Sequence, residues 1–298
     1  MASPPLTIGL PVYNGERFLA EAIASVLAQD YTDFGLYISD NASTDATEEI
    51  CREAAADDAR VTFVRQPRNR GAVWNFNHCF HATESELFKW AAHDDVLLPG
   101  WVGRCVEVLA DRPEVVLAFT QRVKVDDHGA VVKHNRHRPV SYIDAGAAPG
   151  ERFADVLRRR RGVIEVFGTA RRSVMRETGL LGDYPASDRV FLAEMALRGP
   201  FAEVPEVLFL HREHDGRSIR VPLDAEHQEA LLGTLPAHPG RLRTLRTGFE
   251  FGRAVQRAPV PWRDRLQAYA AIPSWAVHRW RLMAQKVLGA RTTRRRGA

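Results

Sequence analysis

Leu87-Phe88-Lys89-Trp90-Ala91-Ala92-His93-Asp94-Asp95-Val96-Leu97-Leu98-Pro99-Gly100 is the stretch whose reading decides the fold. Its first six residues are mostly apolar and predict a strand, Leu87 to Ala92, of a length that suits a buried sheet. Two carboxylates follow at once, and Pro99-Gly100 marks a break before the helix-period segment Trp101 to Ala110. A strand that carries acids at its end and hands the chain to a helix is the unit of an open α/β sheet, where ligands bind at the carboxyl edges of the strands. Hard oxygen ligands at such an edge suit Mg²⁺ or Mn²⁺. The plainer reading is that Asp94 and Asp95 only begin the next helix.

Upstream of this stretch the same alternation repeats. Leu6 to Val12 reads as a first strand, and Glu16 to Gln29 as a helix with Leu19, Ile23, Val26 and Leu27 on one stripe, started by Asn14-Gly15. Gly35 to Asp40 and Val61 to Val64 read as strands two and three. Between them Ser43, Thr44 and Asp45 announce a helix over Ala46 to Ala56, with Glu48 at capping-box spacing from Asp45. Ala72 to Ala82 is helical, and downstream Val115 to Val125 reads as a fifth strand reaching the turn Asp127-His128-Gly129.

Beyond that turn, Val132 to Gly150 has weak periodicity and reads as an excursion. Helical pattern returns at Glu151 to Arg160 and at Asp188 to Arg198, while Val163 to Thr169 and Val207 to His211 are β-prone. The expected organisation is one half over residues 1–130, a second over 131–222 and a helical basic extension over 223–298. The fold class expected is α/β, a mostly parallel sheet flanked by helices.

At 298 residues and 45% hydrophobic content the chain can bury a full core, which excludes disorder as the default. A formal net charge of +4 permits an anionic partner without demanding one. Cys51, Cys79 and Cys105 show neither zinc spacing nor a disulfide framework. No signal peptide and no run of eighteen apolar residues is visible, so the expected home is the cytoplasm. After Asp264 there are eight basic residues and no acid. Ala276, Trp280, Met283 and Val287 fall on one helical face there, so the tail reads as a membrane-surface contact, a nucleic-acid contact or a solvated helix. Trp275 and Trp280 beside arginines favour peripheral membrane contact at the inner face of the cytoplasmic membrane, and nucleic-acid binding is not expected. Arg158 to Arg161 reads as a solvated helix end.

Four blocks now stand in order: Pro11-Val12-Tyr13-Asn14 after the first strand, Asp40-Asn41-Ala42-Ser43-Thr44-Asp45 after the second, Asn69-Arg70-Gly71 before the third helix and His93-Asp94-Asp95 after the fourth strand. In order and spacing this set resembles glycosyltransferase family 2, inverting enzymes of GT-A fold, over residues 6 to 125. The resemblance implies a nucleotide-sugar donor half over 1–130, an acceptor half over 131–222, and transfer of a sugar from a UDP- or dTDP-linked donor to a glycan, a lipid-linked glycan or a small molecule. It places Pro11, Val12, Tyr13, Asn14, Glu16, Asp40, Asn41, Arg70, Gly71, His93 and Asp94 around the donor nucleotide. Asp95, with His214, is implied at the metal, and Asp188 is implied as the general base that takes up the acceptor proton. Arg217, in His211-Arg212-Glu213-His214-Asp215-Gly216-Arg217-Ser218, is implied at the leaving phosphate.

The chain departs from the family pattern at His93, usually Asp, and at Ser187, usually Glu. Those departures keep open a second reading, a catalytically inactive sugar-nucleotide binder. A third, a sugar-nucleotide nucleotidyltransferase, asks for a glycine-rich basic loop after the first strand, and Pro11-Val12-Tyr13-Asn14-Gly15-Glu16 is not one. The plain alternatives are an N-cap for Asp188, with Asp183 its nearby competitor as base, and a structural or solvated imidazole for His214.

Overall fold

The computed structural model describes residues 5–134, 146–159, 164–214 and 240–294. Strand β1 (Leu6–Val12) is buried along its whole length because helices cover both faces of the sheet. Leu6, Ile8, Leu10 and Val12 point to one face, against α1 (Leu19–Leu27), α2 (Thr47–Asp57) and α4 (Trp101–Asp111). On the other face Gly9 lets α3 (Ala72–His81) come close, since a Cβ there would stand 2.8 Å from the Cys79 Cβ. Each fully buried aliphatic side chain of β1 contributes on the order of 1.5–3 kcal/mol.

In chain order the remaining strands are β2 (Phe34–Asp40), β3 (Val61–Arg65), β4 (Leu87–Trp90), β5 (Val96–Leu97), β6 (Leu117–Val125), β7 (Val131–His134), β8 (Thr169–Arg171) and β9 (Phe201–Arg212). They form one sheet in the order β3-β2-β1-β4-β8-β6-β9-β5, with β7 paired to β6. The first four strands are parallel, β8 is antiparallel to both of its neighbours, and β9 is parallel to β6. The α/β class and the mostly parallel character of the central sheet are as the sequence predicts.

A second core fills the other face of the sheet. There α3 meets α5 (Pro149–Arg158), α7 (Ser187–Arg198), α8 (Gly240–Arg257) and α9 (Trp262–Arg294). The short α6 (Arg172–Arg176) follows β8. Lys89 on β4 is wholly buried: Nζ donates to the carbonyls of Trp90 and Phe167 at 3.2 and 2.6 Å and lies 3.8 Å from the Trp101 ring centroid. Burial pushes its pKa down to about 7, against the smaller pull of Cys105 and Asp95.

Several sequence expectations need correction. The first helix begins at Leu19, not Glu16, because Asn14 takes a left-handed backbone (φ 50°) and the Gly15 carbonyl accepts the N–H groups of Phe18 and Leu19 in a turn. The Asp45–Glu48 capping box does not form; Asp45 accepts from the Thr47 N–H, while Glu48 pairs with Arg52 and Arg65. Of the expected strand Val163 to Thr169, Val163 lies outside the described residues, Ile164–Phe167 is a 3₁₀ helix and only Thr169 is in a strand, opening β8; Gly168 between them passes so close to β6 that a Cβ would meet the Ala118 carbonyl at 2.8 Å. Val96–Leu97 is an extra strand, pairing with β9. Part of the expected excursion is β7, and α5 starts at Pro149.

The tail is helical, yet its expected single face divides: Ala276 packs against the core while Trp280 is exposed. The side chains of Met283 and Val287 lie outside what is described, as do Arg160 and Arg161. Among the described residues no helix is long and apolar enough to cross a membrane. All three cysteines are buried thiols.

Candidate active site

The four sequence blocks meet at the carboxyl edge of the parallel strands. Asn14 donates its N–H to Ser43 Oγ at 2.9 Å, and its Oδ1 accepts the Thr44 N–H at 2.9 Å. Gly15 N–H donates to Thr47 Oγ1, Glu16 N–H to Asp45 Oδ2, and Glu16 Oε2 in turn accepts from Ala46 N–H. The first block is therefore stitched to the second. Pro11 and Val12 are buried within β1, whereas Tyr13 is half-buried and Asn14 exposed at the rim.

Asp40 ends β2 with its carboxylate closed to solvent, 0% exposed. Oδ1 accepts from the Ser43 N–H and hydroxyl, and Oδ2 from Arg65 Nη1 at 2.9 Å. These bonds fix the loop that follows, in which Ala42 is also left-handed (φ 64°). Asn41 reaches the third block: its Nδ2 donates to Asn69 Oδ1 at 2.7 Å and to the Gly71 carbonyl, and its Oδ1 accepts the Arg70 N–H at 3.0 Å. Gly71 takes φ 84°, which favours glycine, and starts α3. The Arg70 guanidinium lies 4.0 Å over the Trp74 ring, and that indole stacks on His78.

The fourth block closes on the first through His93, since a Cβ on Gly15 would stand 2.9 Å from His93 Cδ2 and 2.6 Å from Val12 Cγ2. The two acids after it have different surroundings. Asp95 is buried; Oδ1 accepts the Arg212 N–H at 3.0 Å, and His211 Nδ1 lies 3.1 and 3.2 Å from the two oxygens. An ionised carboxylate only accepts, so His211 Nδ1 carries the proton in this contact. Asp94 instead meets His214, Oδ2 to Nε2 at 3.0 Å. His214 thus faces Asp94, and Asp95 faces His211.

Arg212 organises this corner. Its Nε donates to the Asp94 carbonyl, Nη1 to the carbonyls of Asp126 and Asp127, and Nη2 to Glu21 Oε2 at 2.6 Å, with Phe18 stacked 4.6 Å away. His211 and Arg212 went unassigned in the sequence, although the alternation that puts Phe209 and His211 on one face, ring centroids 6.1 Å apart, was a usable signal. Arg65, which holds Asp40, carries no such signal.

On the second half, Asp188 lies in the first turn of α7, which Ala186 starts from a left-handed backbone (φ 60°). It is not the N-cap. Burial raises its pKa above the ordinary aspartate value, against the N–H of Arg189 at 2.7 Å from Oδ1. One turn on, Phe191 packs edge-on against Trp90 with centroids 5.3 Å apart. Residues three apart share a helix face, so Asp188 stands on the face that α7 turns to the end of β4. Asp183 is also raised by burial, against Arg246, but is more exposed. Arg217 lies outside the described residues.

Among the described residues no three carboxylate, imidazole or thiol groups converge as a metal cage. Asp94 and His214 still fit a hard divalent cation of the kind that takes one or two protein ligands and completes its shell with phosphate oxygens and water. Both side chains are largely shielded and face each other at 3.0 Å.

An open sheet of this order, with polar loops and acids gathered at its carboxyl edge, is an α/β fold of the GT-A type. Residues 7–172 match the family described as Glycosyl transferase family 2, and the chain belongs to it. Among curated relatives it is 28% identical to the putative glycosyltransferase EpsE of Bacillus subtilis over 129 residues, 43% of this chain and 46% of that one. It is 31% identical over 98 residues to the GalNAc(5)-diNAcBac-PP-undecaprenol beta-1,3-glucosyltransferase of Campylobacter jejuni, 33% of this chain and 32% of that one. These matched stretches span less than half of either relative. Among solved structures the fold is shared with S. aureus TarS 1-349 in complex with UDP-GlcNAc, at TM-score 0.56, 12% identity and coverage of 93% and 91%. It is shared too with the mannosyltransferase PcManGT of Pyrobaculum calidifontis in complex with GDP-Man and Mn2+, at TM-score 0.57, 19% identity and coverage of 98% and 81%.

Proposed function

We propose that the protein is an inverting, metal-dependent glycosyltransferase that moves a sugar from a nucleoside-diphosphate sugar, UDP- or dTDP-linked, to an acceptor hydroxyl on a glycan, a lipid-linked glycan or a small molecule. The observation that carries this reading is the contact of Asp94 with His214 at the mouth of the interlocked loops. It sets a carboxylate and an imidazole, drawn from opposite ends of the fold, where a diphosphate bound along the strand ends needs a cation. Mg²⁺ or Mn²⁺, held by Asp94 and His214, would supply positive charge for a departing diphosphate.

The chain's own residues do the rest. Backbone groups of Val12 to Gly15 and of Ala42 to Thr44 line the nucleotide side, held in place by Asp40 and Asn41 rather than by direct contact of those two buried side chains with the base. The Arg70–Trp74 stack offers a flat cationic edge at the rim. Asp95, fixed by His211 and Arg212, positions the Asp94 loop. Asp188, with its raised pKa, takes up the acceptor proton as the hydroxyl attacks the anomeric carbon in line, which inverts that carbon.

Calorimetric titration of the purified chain with UDP, dTDP and GDP, each with Mn²⁺ and with EDTA, tests the reading. Metal-dependent binding of one of them, and slow release of free sugar from its sugar conjugate, are expected. Binding to none of the three overturns it, and tight binding with no donor turnover across acceptor panels marks the protein as an inactive sugar-nucleotide binder.

A further inference from the structure

The charge of the chain is divided along its length. Residues 240–298 carry 14 of the 41 Lys and Arg but two of the 37 Asp and Glu, so the preceding residues hold an acidic excess of eight while the C-terminal segment is basic by twelve. That segment supplies the hairpin of α8 and α9.

One side of the hairpin is fixed on the catalytic domain. Ala268 and Trp275 of α9 are buried, Trp275 packs edge-on against Phe251 with centroids 5.0 Å apart, and the Gly150 N–H donates to Asp264 Oδ1. At Gly150 a Cβ would meet the Asp264 carbonyl at 2.7 Å, so the start of α9 is pressed onto α5. Because this face is committed inward, the opposite face is committed outward. There Trp262, Leu266, Pro273, Val277 and Trp280 follow one another at helical spacing, all exposed, with Trp262 at 66% and Leu266 at 59%. On α8 Phe249, at 66%, and Leu245 are likewise exposed one turn apart. From Trp262 to Trp280 the stripe runs about 27 Å at the usual helical rise. Exposed Arg279 and Arg281 flank its far end, and the helix continues through Lys286, Arg291 and Arg294.

We propose that the outward face of this hairpin docks in the plane of an anionic lipid bilayer, with Trp262, Leu266, Val277 and Trp280 in the headgroup region and the arginines on the lipid phosphates. Tryptophan at both ends of an apolar stripe suits a headgroup interface, and net basic charge supplies the electrostatic half of such binding. A second copy of the hairpin is disfavoured as the occupant because it would bring twelve positive charges against twelve. Nucleic acid would use the arginines and leave the apolar stripe in water. The inward face of the same hairpin reaches the second half of the cleft: buried Thr247 of α8 donates its Oγ1 hydrogen to the Pro185 carbonyl at 2.9 Å, three residues before Asp188, and Arg246 lies over the Tyr184 ring. A bilayer on the outward face would lie across α8 from Pro185 and Asp188; any use of that bilayer for a lipid-borne acceptor rests on the catalytic reading, and the docking itself does not.

Flotation of the full chain with vesicles of phosphatidylcholine plus phosphatidylglycerol, against phosphatidylcholine alone, tests it. Binding to the anionic vesicles, weakening as salt is raised, is expected. The triple variant Trp262→Ser, Leu266→Ser, Trp280→Ser should bind about tenfold more weakly or worse, and Arg279→Gln about fivefold more weakly, with melting temperature and nucleotide affinity unchanged. Should the triple variant fold poorly, quenching of the native tryptophan fluorescence by brominated lipid reads insertion in the unaltered chain. Absence of anionic-vesicle binding, full binding by a folded triple variant, no quenching, or a dimer that the triple variant dissolves without any vesicle binding each overturns the proposal.

Discussion

His214 Nε2 stands 3.0 Å from Asp94 Oδ2, joining a residue just past β9 to the loop after β4. Neighbouring Asp95 turns instead to His211 and the Arg212 N–H, so two adjacent acids have separate tasks. Asp94→Asn and His214→Ala are expected to weaken Mn²⁺-dependent nucleoside-diphosphate binding by about ten- to a hundredfold while leaving the melting temperature nearly unchanged. Asp95→Asn should lower the melting temperature as well, because it leaves buried donors short of an acceptor. Calorimetry and thermal melts separate the two; if Asp94→Asn binds Mn²⁺ and nucleotide as the native chain does, the cation lies elsewhere.

Asn41 ties the loop after β2 to Asn69, Arg70 and Gly71 through three hydrogen bonds. Asn41→Ala removes the acceptor of the partly buried Arg70 N–H together with the bonds to Asn69 and Gly71, and is expected to lower stability by about 1–3 kcal/mol. It should also weaken nucleotide binding although Asn41 itself touches no ligand in this reading. Urea unfolding together with a binding isotherm checks this, and a stable variant with native affinity would contradict it.

Gly15 is held between Val12 and His93, and its added methyl would stand 2.6 Å from one and 2.9 Å from the other. Gly15→Ala should therefore displace His93 and the Asp94 loop and cut transfer at least tenfold, a loss of about 1.4 kcal/mol in transition-state stabilisation. Replacing His93 by Ala in the same chain opens the space and should recover part of the rate; no recovery would mean that the clash with Val12 alone matters.

Asp188→Asn should lower transfer by about 10²–10⁴-fold with donor affinity intact. As a base it must be ionised, and burial raises its pKa, so the native rate should rise with pH through a limb above the ordinary aspartate range. Retained transfer in the Asn variant would remove Asp188 as the base and turn attention to Asp183.

Lys89 gives a prediction about stability alone. Its folded pKa is lowered to about 7 while the unfolded value is near 10.5, so between those pH values the unfolded chain binds more protons and stability rises with pH. Lys89→Met should flatten that rise. Melting curves of both chains from neutral to alkaline pH are the test, and parallel profiles would show that Lys89 stays charged when buried.

Much of the donor half was legible in the chain. β1, β2 and β3 are short apolar runs bounded by turn residues, and they appear within a residue or two of the expected bounds. What local pattern cannot carry is pairing across long separations. Val96–Leu97 is too short to show a period, and it is a strand only because β9 arrives more than a hundred residues later. The same arrival decides which acid faces His214. Asp94 sits in a turn and Asp95 just before β5, and only the partner strand β9 says which of them faces which imidazole. Val163 to Thr169 misleads for another reason: its β-branched and apolar residues suit a strand, but Gly168 packed on β6 forces the bend.

β9 supplies His211 and Arg212 and leads to His214, yet the stretch matching the family ends at residue 172. The stretch matching the family is thus not a portable cassette. A chimera joined at the start of α6, grafting residues up to 172 onto another second half, would inherit Asp94 and Asp95 but leave both imidazoles and the Arg212 clasp behind. Any successful swap has to carry β9 with the first half, making the junction a pair of seams around residues 173–200 rather than a single cut.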